Sequence, residues 1–353
     1  MNKIDLTPQL DYNNVLIKPK PSLLSSRSEV NIERTFVFNV NKDNAKEKSV
    51  FWTGVPLISA NMDTTGTFEI YNVLSKYNII TALHKFYDVK DYIKYSNNMN
   101  PDLFMVSCGI NDFEKLCDIL THIECNWICI DIANGYIKSL VDYCKKVRAK
   151  FPLKKIVAGN VASKEKVEEL IIQGGVDVVK IGIGPGSACT TRIKTGVGVP
   201  QLSAVIECAN AAHRVGGKII ADGGITCPGD VSKAFGGGAD FVMIGGQFAG
   251  CDEGPGEIVK KDGKNFKKFH GMSSKKAMEI HYGSMDNYRT SEGREILVPY
   301  RGNLDEIVQD YLGGIRSTCT YIGANKLEDM EKCTTFGLAN QQFNTCLLNN
   351  ISN

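Results

Sequence analysis

The sequence predicts an α/β protein with the fold of a (β/α)₈ TIM barrel. Eight short apolar segments rich in Val and Ile alternate with amphipathic stretches along most of the chain. Nearly continuous apolar runs are typical of parallel strands that are buried on both faces. Small or polar residues follow these segments, at the strand ends where barrel enzymes carry their active sites. The alternation alone also allows a doubly wound sheet.

The predicted strands and helices alternate in order along the chain. The strands are Pro56–Asp63, Asn78–His84, Leu103–Ile110, Trp127–Asn134, Lys155–Val161, Val176–Gly184, Lys218–Gly224 and Asp240–Gly246. Helices are predicted at Lys164–Gln173, Val205–Arg214 and Asp230–Phe235. The first of these helices follows Ser163, a favourable N-cap, and precedes Gly174, a favourable C-cap.

Two segments interrupt the repeat and are predicted to be functional loops. One is the loop at about residues 182–202, and the other is a polar excursion at about residues 250–302, after the eighth strand. The excursion contains KKDGKNFKKFHG, which predicts a hairpin with an Asp-Gly turn. Long insertions in a compact barrel are typically lids or binding loops. We therefore expect one barrel domain over residues 1–353 with a catalytic loop and a flap, and an irregular tail after Gly323.

The composition excludes several classes of protein. Apolar residues make up 43% and charged residues 23%, and the formal net charge of +2 indicates neither a nucleic-acid nor a membrane partner. The twelve cysteines form no Cys-x-x-Cys pair and the five histidines show no metal-like spacing, so we expect no structural zinc. The polar N-terminal residues predict no secretion signal, and no apolar run approaches the about 20 residues that span a bilayer. We expect a cytoplasmic protein with reduced thiols.

Glycine pairs end the seventh and eighth predicted strands. Asp222 is followed by Gly223 and Gly224, and the last strand ends in Gly245 and Gly246. Glycines let the backbone approach a ligand closely, and exposed N–H groups at such turns bind phosphate. Many barrels bind phosphate after these two strands. The pattern therefore predicts a phosphate site, although tight turns alone would also use glycine.

Cys189 lies in a glycine-rich loop, unlike the cysteines within predicted strands and helices. The loop reads GPGSACTTR and carries hydroxyls and Arg192 beside the thiol. A nearby cation and backbone amides favour the thiolate, which is the form that acts as a nucleophile. Most cysteines are simply small buried residues. The loop alone therefore leaves both interpretations of Cys189 open.

Long motifs across nearly the whole chain resemble the IMP dehydrogenase and GMP reductase family. The matching stretches are IGIGPGSACTTRIKTGVGVPQLSAVIECA, DYNNVLIKPKPSLLSSRSEV, PLISANMDTTGTFE, ALHKFY, CIDIANGY, AGNVAS, ADGGITCPGDVSKAFGGGADFVMIGG, GMSS, YRTSEGR and GGIRSTCTYIGA. The resemblance implies a barrel, a purine nucleotide site and a covalent cysteine intermediate.

Three features favour the reductase branch of this family. The chain has no room for CBS domains after the second strand, and NYRTSEGREI lacks the Arg-Tyr pair of dehydrogenases. GMSS, YRTSEG and GGIRSTCTYIGA resemble reductase sequences. The resemblance thus implies irreversible, NADPH-dependent conversion of GMP to IMP and ammonia in purine salvage. An IMP dehydrogenase lacking CBS domains is the main alternative; a flavin oxidase barrel and a regulatory protein without turnover remain as further ones.

The resemblance also implies roles for individual residues. Cys189 would be the nucleophile, and Thr191 with Glu292 would relay protons. The nucleotide would contact Asp222, Gly223, Gly224, Gly245, Gly246, Gly271, Met272, Ser273, Arg289, Thr290, Ser291 and Gly293. NADPH would contact Ser26, Arg27, Lys85, Asp131, Ile132, Ala133, Ile183, Gly184, Met272, Tyr288, Arg289, Ser317, Thr318, Cys319 and Thr320. Potassium would bind carbonyls of Gly184, Gly186, Cys189 and Arg192. A homotetramer is expected, in which Ser317 and Thr318 come from a neighbouring subunit.

Overall fold

The structure, a computed structural model, describes residues 4–39, 49–95, 98–283 and 290–339. Its strands are β1 Val15–Ile17, β2 Arg34–Asn39, β3 Ser49–Gly54, β4 Leu57–Ser59, β5 Ile80–Leu83, β6 Phe104–Cys108, β7 Trp127–Asp131, β8 Lys155–Val161, β9 Val178–Ile181, β10 Lys218–Asp222, β11 Phe241–Ile244, β12 Ile258–Lys261, β13 Lys264–His270, β14 Glu295–Pro299 and β15 Phe336–Leu338. Its helices are α1 Phe68–Leu74, α2 Val89–Tyr95, α3 Phe113–His122, α4 Lys138–Lys150, α5 Lys164–Ile172, α6 Thr191–Thr195, α7 Gln201–Arg214, α8 Pro228–Gly236, α9 Gly246–Ala249, α10 Lys275–Tyr282, α11 Leu304–Ile322 and α12 Met330–Cys333.

Strands β4 to β11 form a closed parallel barrel, which confirms the predicted fold class. Each strand pairs with the next along the chain, and β11 returns to β4 with Val242 opposite Leu57. All eight predicted strands are present, with shorter bounds at several ends. Because the helices that connect the strands cover the outside of the barrel, the strands are buried on both faces. The doubly wound alternative is wrong, since an open sheet would leave two unpaired edges.

The β2–β3 hairpin closes the N-terminal end of the barrel with aromatic side chains. Phe36 and Trp52 from the hairpin pack against Trp127 and Phe241, which begin barrel strands β7 and β11. The ring centroids of Phe36 and Phe241 are 4.6 Å apart. Burial of such large rings stabilises the barrel and excludes water from this end. The opposite, C-terminal end is the one that remains open to ligands.

Two predicted helix boundaries require correction. Helix α5 does begin after Ser163, but the Ser163 hydroxyl makes no cap hydrogen bond; it lies 3.2 Å from the hydroxyl of Tyr136. At the other end the left-handed residue is Gly175, with φ of 68°, rather than Gly174. Helix α7 begins at Gln201, four residues earlier than predicted, because Asp11 accepts a hydrogen bond from the Gln201 N–H. Asp11 and Gln201 are 190 positions apart, so the local sequence around α7 does not predict this contact.

The flap after β11 contains a three-stranded antiparallel sheet of β12, β13 and β14. Asp262 and Gly263 form the turn between β12 and β13 with φ of 51° and 76°, which confirms the predicted Asp-Gly hairpin. Helix α10 follows β13 and leads toward the segment at 284–289, which lies outside the described residues.

The prediction of an irregular tail after Gly323 is wrong for its described part. Helix α12 lies there, with Met330 fully buried, and β15 pairs antiparallel with β1. Strand β15 forms because β1 supplies backbone partners that the local sequence does not reveal, whereas α12 packs against α8 and α11. None of the helices in the described ranges has the length and apolar character needed to span a bilayer.

Candidate active site

A cavity of about 250 Å³ opens at the C-terminal end of the barrel, between the loop after β9 and the flap. Its lining includes most of the predicted site residues: Asp131, Ile132, Ala133, Ile183, Gly184, Gly186, Cys189, Thr191, Asp222, Gly223, Gly224, Gly245, Gly246, Gly271, Met272, Ser273, Glu292 and Gly293. These residues come from the ends of several different strands and from two loops. The tertiary structure therefore brings together motifs that are widely separated in the sequence.

A continuous hydrogen-bonded chain joins Cys189, Thr191 and Glu292. The Cys189 thiol donates to the Thr191 hydroxyl oxygen, with Sγ and Oγ1 3.2 Å apart. The same Thr191 hydroxyl donates to Glu292 Oε2 at 2.7 Å. A hydroxyl can accept one proton while it donates another, so it can relay a proton between sulfur and carboxylate. This geometry is that of a nucleophile activated by a coupled base.

Backbone hydrogen bonds hold the loop with Cys189 against the flap with Glu292. The Thr190 N–H donates to the Glu292 carbonyl at 2.7 Å, and the Arg294 N–H donates to the Ala188 carbonyl at 2.9 Å. Cys189 and Gly293 form an antiparallel bridge between these contacts. Thr190 adds a side-chain link, since its hydroxyl donates to the Ser291 carbonyl at 3.2 Å. The two halves of the relay are thus held by main-chain contacts on both sides.

The glycines after β10 turn the chain sharply beside the cavity. Gly223 and Gly224 have φ of 94° and 80°, a region that side-chain-bearing residues rarely adopt. A Cβ on Gly223 would also lie 2.9 Å from the ring of Pro185 in the loop with Cys189. Glycine at Gly223 therefore allows both the turn and the approach of the catalytic loop.

Arg192 contacts the N-terminal segment. Its guanidinium donates to Asp11 Oδ2 at 3.0 Å and to the Val199 carbonyl at 2.6 Å. These bonds hold the loop from Gly184 onward, because the Arg192 side chain also packs against Gly184 and Gly198. These contacts therefore assign Arg192 a role in supporting the loop. The expected effect of Arg192 on the Cys189 thiol stays a prediction.

The residues expected to contact a dinucleotide fall into two groups. One group, which includes Asp131, lines the cavity. Lys85 is close enough to Asp131 for its charge to lower the pKa of that carboxyl. The other group lies outside the cavity lining: Ser26, Arg27, Ser317, Thr318, Cys319 and Thr320. The short helix Arg27–Glu29 contacts α11, the helix that carries the last four residues of this group. The Cys319 side chain is fully buried.

Two of the expected ligand contacts cannot be placed. Tyr288 and Arg289 lie outside the described residues, while Thr290 is described and exposed. Sequence reasoning also missed several residues of the cavity lining, namely Asn61, Met62, Asn160, Lys180, Ser187 and Phe269. Lys180 had a detectable signal, because a charged residue interrupts the apolar strand VDVVKIGIG. Within the described ranges, no group of three His, Cys, Asp or Glu side chains is arranged to hold a metal ion.

A histidine pair fixes the flap to the barrel through Asp63. His270, which ends β13, and His281, on α10, both lie with Nε2 close to Asp63 Oδ2, at 3.0 and 2.8 Å. Burial raises the pKa of Asp63, but the hydrogen bonds and charges of both histidines outweigh that effect and hold the pKa below its ordinary value. The ring of His281 also stacks on Phe86, with centroids 3.5 Å apart. We call Asp63, His270 and His281 the flap clasp.

His84, beside the flap clasp, predicts a pH dependence of stability. Burial lowers its pKa from 6.5 to about 4, so the folded protein holds it neutral. Because the unfolded chain takes up a proton at this residue more readily, the free energy of unfolding is unaffected by His84 above about pH 6.5. It decreases as the pH falls toward 4, by up to about 3 kcal/mol. His84→Gln, which cannot titrate, should reduce the fall of the unfolding free energy over that window. The matched control is His122→Gln, on the exposed side of α3. Chemical denaturation at a series of pH values measures both; equal acid losses in the two variants would contradict the prediction.

Comparison with known proteins agrees with this geometry. The family model of the IMP dehydrogenase / GMP reductase domain matches residues 9–343. The chain belongs to this family. A GMP reductase of Photobacterium profundum is 52% identical over 97% of this chain and 98% of its own length. One from Vibrio cholerae is also 52% identical, with the same coverage. Human GMP reductase 1 is 50% identical over 98% of this chain and 99% of its own length.

Membership of the IMP dehydrogenase and GMP reductase family confirms the resemblance found in the sequence motifs. The matches run from the N-terminal segment through the flap, so they include the catalytic loop and both glycine turns. The chain spans nearly the full length of these relatives.

Proposed function

We propose that the chain is a GMP reductase that converts GMP, NADPH and a proton to IMP, NADP⁺ and ammonia. The observation that carries the proposal is the hydrogen-bonded chain from the Cys189 thiol through Thr191 to Glu292 at the cavity. Relatives named GMP reductase, at about half identity over nearly the whole chain, favour this branch of the family over IMP dehydrogenase.

The first half of the proposed reaction replaces the amino group at purine carbon 2 by sulfur. The thiol proton passes through Thr191 to Glu292, and the Cys189 thiolate attacks carbon 2 of GMP. The proton then returns from Glu292 through Thr191 to the amino group, which leaves as ammonia. A covalent thioimidate between Cys189 and the base remains. The nucleophile thus divides one difficult substitution into two easier steps.

The second half of the reaction releases IMP. When bound, NADPH supplies the hydride that arrives at carbon 2, and the carbon–sulfur bond breaks to return the Cys189 thiolate. Asp131, Ile132 and Ala133 would hold the nicotinamide side of the cavity. Asp222 would accept hydrogen bonds from ribose hydroxyls, and the N–H groups around Gly223 and Gly245 would bind the phosphate.

Further parts of the proposal rest on the family resemblance. Potassium would bind carbonyls of Gly184, Gly186, Cys189 and Arg192 and order the catalytic loop. The Gly186 and Arg192 carbonyls each accept one backbone hydrogen bond, which leaves a second lone pair for a cation. We also propose a cytoplasmic homotetramer, in which Ser317 and Thr318 reach a neighbouring site.

The deciding experiment mixes the purified protein with GMP and NADPH and follows nicotinamide absorbance together with ammonia. The expected result is loss of the reduced nicotinamide band with one ammonia per NADPH. Turnover only with IMP and NAD would overturn the proposal in favour of IMP dehydrogenase. A bound yellow flavin would indicate an oxidase, and nucleotide binding without oxidation of NADPH would indicate a regulatory protein.

The flap clasp predicts a smaller kinetic effect than the relay. Asp63→Asn removes the charge that holds His270 and His281, so the flap should close less often over GMP. Loss of one charge-assisted contact corresponds to about tenfold in KM for GMP, with kcat much less affected. The control is Asp118→Asn, which changes an exposed His–Asp pair on α3. Steady-state kinetics of both variants test the prediction, and an Asp63→Asn enzyme with the KM of the control would contradict it.

A further inference from the structure

Lys180 places a buried ammonium at the centre of the cavity floor. The residue lies within β9 and is only 2% exposed. Its Nζ donates to Asp131 Oδ1 at 2.6 Å, to Asp222 Oδ2 at 3.2 Å and to Asn61 Oδ1 at 3.2 Å. These acceptors follow or end β4, β7 and β10, on different sides of the barrel. A lysine ammonium has three N–H donors, so all three are used.

The stability of the barrel does not explain a lysine at this position. Removing an ammonium from water is costly, and buried ion pairs contribute little net stability compared with apolar side chains of similar size. Lys180, Asp131, Asp222 and Asn61 all line the cavity. The ion pairs of Lys180 therefore lie where ligands are expected to bind. Their cost in folding free energy is consistent with a role in ligand binding.

The charges around Lys180 favour the ionised forms of Lys180 and Asp131. Burial alone would lower the pKa of Lys180, but Asp131 and Asp222 raise it well above its ordinary value. Burial raises the pKa of Asp131, and the charge of Lys180 brings it below the ordinary value, with help from Lys85.

Two further titratable groups face this cluster, and both stay neutral. Burial raises the pKa of the Cys129 thiol to about 12, although the neighbouring charge of Lys180 opposes that shift. Burial also raises the pKa of the Tyr12 phenol, which lies near Asp222. The cavity floor therefore places the Lys180 side chain between those of Asp131 and Asp222, in addition to the nearby charge of Lys85.

We propose that Lys180 is a positioning residue that holds the carboxylates of Asp222 and Asp131 in fixed orientations, and so couples the nucleotide half of the cavity to the hydride-donor half. This inference rests on the proposed function. Among the described residues, both hydrogen bonds to the Asp222 carboxylate, from Lys180 and Asn160, end on Oδ2. That arrangement leaves Oδ1 for the hydroxyls of a ligand.

The test compares Lys180→Met, which removes the charge, with Lys180→Arg, which keeps it. In Lys180→Met, KM should rise about tenfold for GMP and also for NADPH, because each ligand loses an oriented carboxylate. The acid limb of the pH profile of kcat/KM should move up by at least about one pH unit, because the Asp131 carboxylate without the charge of Lys180 takes up a proton at higher pH. Lys180→Arg should keep the acid limb of the wild type.

Lys155→Met is the matched control, because Lys155 is also buried in a barrel strand. Its Nζ lies 2.8 Å from Asp102, at the opposite end of the barrel. This variant should lose stability but keep both KM values and the acid limb. If Lys180→Met does not fold, Lys180→Gln, which has no charge, replaces it in the comparison.

The outcomes separate this inference from the proposed function. If the wild type reduces GMP but Lys180→Met keeps its KM values and acid limb, the role of Lys180 is overturned and the proposed function stands. A rise in only one of the two KM values overturns the coupling. Movement of the acid limb in Lys180→Arg as large as in Lys180→Met shows that charge is not the cause, and also overturns the inference. A wild type inactive with GMP and NADPH overturns the proposed function itself.

Discussion

Cys189→Ala should reduce turnover of GMP with NADPH by at least about 10⁴-fold, because Cys189 carries the only thiol among the described residues that line the cavity. Cys189→Ser should be nearly as inactive, since a serine hydroxyl ionises far less than a thiol. GMP binding should survive in both variants, because the proposed nucleotide contacts come mainly from Asp222 and the glycine pairs after β10 and β11. Isothermal calorimetry and the coupled ammonia assay measure the two properties separately.

The control for Cys189→Ala is Cys117→Ala, which removes another half-buried thiol from α3, away from the cavity. This variant should retain wild-type turnover. Mass spectrometry of acid-quenched wild-type reactions should find the nucleotide adduct on the peptide that contains Cys189. Activity of Cys189→Ala within tenfold of the wild type would refute the covalent mechanism, as would ammonia release without any adduct.

Glu292→Gln should lower the rate of ammonia release by about 10²–10⁴-fold, the usual contribution of general acid–base catalysis. Glutamine keeps the size of Glu292 and can still contact the Thr191 hydroxyl, but it cannot take the thiol proton. Thr191→Val should have a similar effect, because it breaks the 2.7 Å contact between hydroxyl and carboxylate. Single-turnover mixing of enzyme and GMP measures the step directly.

The double variant of Thr191 and Glu292 tests whether the two residues act as one relay. Residues of one unit give non-additive losses, so the double variant should be about as slow as either single one. Glu295→Gln is the control, because Glu295 is an exposed carboxylate only three residues along the flap. If the losses multiply in the double variant, Thr191 and Glu292 act independently and the relay is wrong.

The sequence by itself determined the barrel and most of the residues that line the cavity. Strands that are buried on both faces read as continuous apolar runs, so all eight were visible without tertiary information. The glycine turns at Gly223 and Gly245 and the loop around Cys189 were visible because their chemistry is local. The family motifs then linked Thr191 with Glu292, although 101 positions separate the two residues.

Only the tertiary structure decided the contacts between distant segments. Lys180 appeared in the sequence as one charged residue in an apolar strand. Its partners Asp131 and Asp222 end β7 and β10, which are not neighbours in the barrel sheet. The flap clasp likewise joins Asp63 to His270 and His281 across more than 200 positions. In the C-terminal segment, β15 forms because β1 pairs with it, and α12 packs against α8 and α11. Hydrophobic periodicity reports which face of one element is buried, whereas a hydrogen bond or ion pair depends on where two elements meet.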